Sequence, residues 1–234
     1  MDELLTVNNI HTYIGQFLIL EDVSFSVPKG SITVLLGRNG AGKTTCLRSI
    51  IGQLTPIKGV ILYDGENLIG KPAFDISNKG IGYVPENRAI FNGLTVEENL
   101  MISERQKGQL QNRLDLILDL FPDLKRLFKW NAGQLSGGQQ QMLAIARALV
   151  PENHLLLIDE PSEGLAPILI EQIMEVIQQL SAETTVLLVE QNFRVASQLS
   201  DHFVVIENGR SVLSGNMNEL VESPELISRY LGAA

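Results

Sequence analysis

The stretch Val34-Leu35-Leu36-Gly37-Arg38-Asn39-Gly40-Ala41-Gly42-Lys43-Thr44-Thr45 brings together the residue types needed to hold a run of phosphates. Gly37, Gly42, Lys43 and Thr44 occupy the fixed positions of G-x-x-x-x-G-K-[ST]. Glycines let successive backbone N–H groups turn inward and cradle phosphate oxygens. A helix opening at the end of such a loop points its positive end at the same anion. Lys43 then reaches the outer phosphates as a point charge, and Thr44 offers a hydroxyl to Mg²⁺. Arg38, Asn39, Gly40, Ala41 and Thr45 complete the set of loop donors. Nucleotide binding is the chemistry this stretch predicts.

Two further stretches carry chemistry. The apolar run Leu155-Leu156-Leu157-Ile158 ends in Asp159-Glu160. Carboxylates at the end of a central strand lie where open α/β sheets bind ligands. Asp159 can hold Mg²⁺ directly or through water, and Glu160 can act as base on an attacking water. Alone, the pair reads equally well as solvated acids closing a strand. Leu135-Ser136-Gly137-Gly138-Gln139 puts two glycines and a hydroxyl at the start of a helix. That is either a second anion-binding helix end or a plain N-cap on Ser136.

The elements that must position these groups are legible from periodicity. Residues 32–36 form a buried strand and 44–51 a helix. Residues 4–10 and 17–27, then 60–63 with the turn Asp64-Gly65, form a small antiparallel layer. Residues 81–84 form a short strand ending at Pro85. Thr95 and Glu98 make a capping box, and Leu110, Leu114, Ile117, Leu118 and Phe121 form one helical stripe. Residues 136–149 are helical, so 95–149 reads as a helical insertion. Strands at 155–158 and 184–189 alternate with helices at 168–180 and 193–199, and Asn208-Gly209 turns a closing hairpin. The result is an α/β fold: a phosphate-loop NTPase core with a mainly parallel sheet, a small antiparallel β layer and an inserted helical subdomain. The predicted organisation is a single domain, 1–234, with core and β layer over 1–86 and 150–234 and the helical subdomain over about 87–149.

Composition narrows the function classes. The chain of 234 residues carries a net charge of −9 and lacks a basic block or an aromatic-and-basic stripe, which argues against nucleic acid as partner. Its one cysteine, Cys46, allows no internal disulfide and is expected as a small core residue in a reducing compartment. Met1-Asp2-Glu3 opens no signal peptide, and no run approaches the apolar length of a membrane span. His11, His154 and His202 are isolated, and Trp130 is expected to pack.

In this order, residues 37–44, 135–139 and 155–160 resemble the nucleotide-binding subunit of ATP-binding cassette transporters, over nearly the whole chain. Tyr83-Val84-Pro85-Glu86-Asn87-Arg88, Leu94-Thr95-Val96-Glu97-Glu98-Asn99-Leu100, Pro161-Ser162-Glu163-Gly164-Leu165-Ala166-Pro167 and Leu188-Val189-Glu190-Gln191-Asn192 narrow the resemblance to one ATP-binding subunit of the branched-chain amino-acid importers. Amide and urea importers share much of this. The resemblance implies ATP and Mg²⁺, hydrolysis, and a head-to-tail pair of cassettes. Ser136, Gly137, Gly138 and Gln139 would then face the partner's nucleotide. It also implies transmembrane permease subunits, a second ATPase subunit as heterodimer partner, a cytoplasmic position on the inner face of the membrane, and no contact with the cargo. The helical insertion and the loop at Glu86 would carry the permease contact. A soluble ATP-dependent clamp fits less well, because there is one phosphate loop and a short insertion. A non-hydrolysing regulator is favoured by Glu86 and Gln191 and opposed by Glu160.

Three positions depart from the wider pattern. Glu86 replaces a glutamine at the metal site; it can reach Mg²⁺ through water but repels the γ-phosphate. Gln191 replaces a histidine; its amide can bond the γ-phosphate without carrying a proton. Ala166 replaces an aspartate at the dimer contact. Adenine is expected to stack on an aromatic just before a glycine. Ile14 precedes Gly15, and Tyr13 serves only if the strand register shifts by one, since such a shift turns a side chain to the other face.

Overall fold

The computed structural model describes residues 2–232. Strands β1 (Glu3–Ile14) and β2 (Phe17–Pro28) form a hairpin, followed by β3 (Ile32–Leu36) and helix α1 (Lys43–Ile50). Next come β4 (Lys58–Tyr63), β5 (Glu66–Asn67), α2 (Ala73–Asn78) and β6 (Ile81–Val84). The helical stretch holds α3 (Val96–Met101), α4 (Gln109–Leu120), α5 (Pro122–Arg126) and α6 (Gly137–Leu149). Then β7 (Leu155–Asp159), α7 (Pro167–Leu180), β8 (Thr185–Val189) and α8 (Phe193–Leu199) alternate. The chain closes with β9 (His202–Glu207), β10 (Arg210–Asn216), α9 (Met217–Val221) and α10 (Pro224–Leu231).

Two sheets carry the molecule. The antiparallel one runs β2-β1-β4-β5 and the larger one β10-β9-β3-β8-β7-β6, parallel except at β10. Strands β3, β7 and β8 are buried along their whole length. They read as unbroken apolar runs because both faces are covered. Alternate residues still part to opposite sides, as a period of two requires. Leu35, Leu155, Leu157 and Leu187 face a cluster with α1 and the antiparallel sheet. Val34, Leu36, Leu156, Ile158 and Leu188 face a cluster that continues through α6 and α7 to Leu110 and Ile117 of α4. One apolar body therefore joins the sheet to the helical stretch.

The local signals hold. Asp64 and Gly65 both take positive φ in the β4–β5 turn. Thr95 caps α3, accepting from Glu98 N at 3.2 Å, while Glu98 Oε2 accepts from Thr95 N at 2.8 Å. Short helices α2, α5 and α9 have too few residues to show a periodic stripe, whereas α10 lays Leu226, Ile227, Tyr230 and Leu231 against the core. Trp130 is a correction: its ring is 53% exposed. The backbone makes the tie instead, Val96 N donating to Trp130 O at 3.0 Å.

Cys46 lies fully buried on the inner face of the loop helix α1, and burial pushes its thiol up to about 12. A thiol held neutral and covered is a poor nucleophile. Alkylation by a maleimide is therefore expected to proceed only as the protein unfolds; labelling followed by intact mass across a urea series checks this. Rapid stoichiometric labelling of the folded chain would contradict the placement.

Candidate functional site

The phosphate loop leaves β3 at Leu36 and enters α1 at Lys43. Its shape needs glycine at two points. Gly37 has φ +148°, and a Cβ there would stand 2.2 Å from Ile206 O; Gly42 has φ +109°, and a Cβ would stand 2.7 Å from Leu20 Cδ2. Gly40, also at positive φ, faces open space. The loop is braced from a distance by Gly209, whose N donates to Ala41 O at 2.9 Å and whose O accepts from Glu21 N at 2.7 Å. A Cβ on Gly209 would meet Ile19 O at 2.1 Å. One turn residue thus joins the loop to β2.

Lys43 is only 3% exposed. Its Nζ donates to Gly37 O at 2.9 Å and Arg38 O at 3.3 Å, and lies 3.4 Å from Glu160 Oε1. These acceptors offset the cost of burying an ammonium. Thr44 Oγ1 donates to Asp159 Oδ1 at 3.0 Å, and Tyr83 OH donates to Asp159 Oδ2 at 3.4 Å. Asp159 is wholly buried, and burial is the main reason its pKa is pushed up to about 6. Thr44's hydroxyl opposes that rise, while the charges of Glu160 and Glu86 add to it. Carboxylates therefore converge on a point where Lys43 is the near cation, an arrangement that a dication would relieve. The donors are all oxygens, as hard Mg²⁺ requires. Among the described residues there is no cluster of three or more His, Cys, Asp or Glu able to hold a metal alone. Few protein ligands, with phosphates completing the shell, is the arrangement Mg²⁺ prefers.

Glu160 itself is strained. It takes φ +47°, with its N donating to Val189 O at 2.9 Å. For a non-glycine residue that conformation costs about 1–2 kcal/mol, and the turn directs the carboxylate back at the loop. Its Oε2 accepts from Gln191 Nε2 at 2.8 Å, so its two oxygens are divided between Lys43 and Gln191. Gln191 is placed by a residue that sequence reading overlooks. Glu190 is 2% exposed, and its Oε1 accepts from both Gln191 N and Asn192 N at 2.8 Å. Burial raises its pKa, and Oε2 finds no partner. The one sequence signal was an acid closing an otherwise apolar strand.

The other predicted residues lie apart. Glu86 is exposed on the loop after β6 and enters the site through its charge on Asp159. Ser136 caps α6, accepting from Gln139 N at 3.3 Å, while Ser136 N donates to Gln139 Oε1 at 3.0 Å. Ser136 and Gly137 are exposed. Gly138 is buried, where a Cβ would stand 2.3 Å from Leu169 Cδ1 on α7. None of these four shares a hydrogen bond with the Lys43–Asp159–Glu160 group within the described chain. Ala166 is the exposed N-cap of α7. Tyr13 and Ile14 are 41% and 42% exposed, and the β1–β2 register shifts between Thr12 and Tyr13. The extra residue of that irregularity is Ile19 on β2.

Comparisons with known proteins bear on the family. The ABC transporter family model matches residues 20–163. The chain is 47% identical over 232 residues to the high-affinity branched-chain amino acid transport ATP-binding protein BraG of Pseudomonas aeruginosa, covering 98% of this chain and 100% of that protein. It is 41% identical over 218 residues to the probable branched-chain amino acid transport ATP-binding protein LivF of Archaeoglobus fulgidus, covering 92% of each. The crystal structure of an ATP-binding cassette of an ABC transporter in its ADP conformation superposes with a TM-score of 0.87 at 28% identity, covering all of both chains. With a phosphate loop, an acid pair at the end of β7 and this match along its length, the chain belongs to the ABC transporter family, as an ATP-hydrolysing, nucleotide-binding subunit.

Proposed function

We propose that this chain energises an importer of branched-chain amino acids from the cytoplasmic face of the membrane, as one of two ATPase subunits. One observation carries the reading: Lys43 and Thr44 meet Asp159, Glu160 and Gln191 at the end of β7. In this arrangement the loop amides and Lys43 bind the phosphates of ATP. Glu160 takes the proton of the attacking water, and Gln191 holds Glu160 while offering its amide to the γ-phosphate. Thr44 and Asp159, with Glu86 through water, would hold Mg²⁺, which when bound would supply positive charge to the phosphate oxygens. Tyr13 stacks on adenine. The chain forms one nucleotide-binding domain, with 87–149 as its helical subdomain.

A permease subunit docks in the groove between core and helical stretch. This cavity of about 590 Å³ is lined by Arg48, Phe74, Arg88, Arg105 and Arg147. Among the described residues none of those arginines has a carboxylate within ion-pair distance. An acidic or carbonyl-rich segment suits them. The chain has no described helix long and apolar enough to cross a membrane. Because Glu86, Gln191 and Ala166 depart from the wider family pattern, the second subunit supplies the more regular site and turnover is asymmetric. Deleting the gene and measuring uptake of labelled leucine, urea and a short amide tests the cargo. Loss of leucine uptake supports the reading; loss of urea or amide uptake alone assigns the chain to those importers. A purified chain that releases phosphate as fast alone as with its second subunit would overturn the asymmetry.

A further inference from the structure

The loop after β6 is held in an unfavourable shape. Arg88 has φ +61° and Ala89 φ +45°, two successive non-glycine residues in the left-handed region. Such backbone persists only where its surroundings over-determine it. Tight contacts close the turn: Arg88 N donates to Pro85 O at 2.9 Å and Ala89 N to Asn87 O at 2.7 Å. The turn directs the Arg88 side chain at α6. Its Nε donates to Gln141 Oε1 at 3.2 Å, and a Cβ on Gly137 would lie 3.3 Å from its Nη1. Gln141 is buried, and its Nε2 has no partner of its own. Arg88 is thus the polar group that the buried Gln141 meets.

The rest of the loop is fixed to the same helices. Arg147 of α6 donates from Nη1 to Ala89 O at 2.6 Å and lies 4.9 Å from the centre of the Phe91 ring. Asn99 of α3 accepts from Phe91 N at 2.9 Å and donates to Phe91 O at 3.0 Å and Thr95 O at 2.9 Å. The segment from Arg88 to Thr95 is therefore tied to α3 and α6, and Pro85 to Asn87 form the joint that links it back to β6. Glu86 sits in that joint. Arg88 is the side chain that runs from it to the first turn of α6, where Ser136 and Gly137 are displayed.

We propose that Arg88 is a positioning residue that locks the first turn of α6, and with it Ser136 and Gly137, to the loop carrying Glu86. This rests on the head-to-tail reading above, under which Ser136 and Gly137 face the nucleotide of the partner subunit. Loss of Arg88 then weakens the grip on the partner's ATP and spares the chain's own phosphate loop. The planar guanidinium is needed, because one end bonds Gln141 while the other lies against Gly137.

Arg88→Ala, Arg88→Lys, Gln141→Ala and the double Arg88→Ala/Gln141→Ala change test this, each in the full chain. Amide hydrogen exchange of the free chain reads positioning without any partner. Protection at 136–141 is expected to fall about ten-fold in Arg88→Ala, with 37–45 unchanged. ATP-dependent association, read with the second ATPase subunit present in a Glu160→Gln background, is expected to weaken about ten-fold while affinity for a fluorescent ATP analogue stays within about two-fold. Arg88→Lys fails to restore either, and the double change is no worse than Arg88→Ala alone. Unchanged exchange at 136–141, full restoration by lysine, or additive losses in the double change would overturn the proposal. Exchange that responds while the parent binds ATP but never associates would leave Arg88 as the lock and overturn the head-to-tail reading instead.

Discussion

Glu160→Gln is expected to lower phosphate release by about 10²–10⁴-fold, the range lost when a positioned base is removed. The substitution keeps the shape of the side chain and its strained φ of +47°, and the amide oxygen can still accept from Gln191. What it removes is the charge 3.4 Å from Lys43 and the ability to take a proton from water. Affinity for ATP is expected to hold or rise, because one negative charge near the phosphates is gone. Single-turnover phosphate release beside equilibrium nucleotide binding separates the two effects. Turnover within a few-fold of the parent would remove Glu160 from the role of base.

Lys43→Ala is expected to act on binding instead. The buried ammonium has its hydrogen-bonding capacity taken up by Gly37 O and Arg38 O, and it stands against Glu160. Truncating it removes the cation that meets the phosphates and leaves Glu160 repelling them. Losing one side of a buried, hydrogen-bonded charge pair costs about 2–5 kcal/mol, on the order of 30- to 4,000-fold in affinity. Arginine is not expected to rescue, since the space between the loop carbonyls and Glu160 fits a point charge and not a planar fork. Calorimetric titration with ATP and Mg²⁺ measures the loss, and the unfolding midpoint without nucleotide shows whether the loop itself has collapsed. Affinity within about three-fold of the parent would mean that the amides alone hold the phosphates.

Much of the fold was legible because its signals are local. The phosphate loop, the Thr95 and Ser136 caps and the turns at Asp64-Gly65 and Asn208-Gly209 are each written in a few adjacent residues, and the structure forms them there. The acid pair at Asp159-Glu160 was readable for the same reason. Tyr13 was readable only conditionally, because its direction depends on a strand irregularity that composition does not encode. The groups that escaped notice are those whose meaning lies in a distant neighbour. Glu190 looks like one more acid until its burial and its two backbone donors are known. Gln141 looks like a surface glutamine of α6 until Arg88 is seen against it. Trp130 invited a packing role by its size, yet the backbone bonds around it leave about half of the residue exposed.

The brace at Gly209 has a consequence for how the chain is made. Strand β3, which leads into the phosphate loop, is hydrogen-bonded on one side by β8 and on the other by β9. The loop's own carbonyl at Ala41 is held by residue 209. Chains emerge from the ribosome N-terminus first, so the loop leaves the exit tunnel long before the strands that flank it and the turn that pins it. Until then an apolar run and a glycine-rich segment have no sheet to join. The nucleotide loop is among the first pieces synthesised and among the last to acquire its final shape, so a nascent chain cut short before β9 would carry the whole motif without a working cradle.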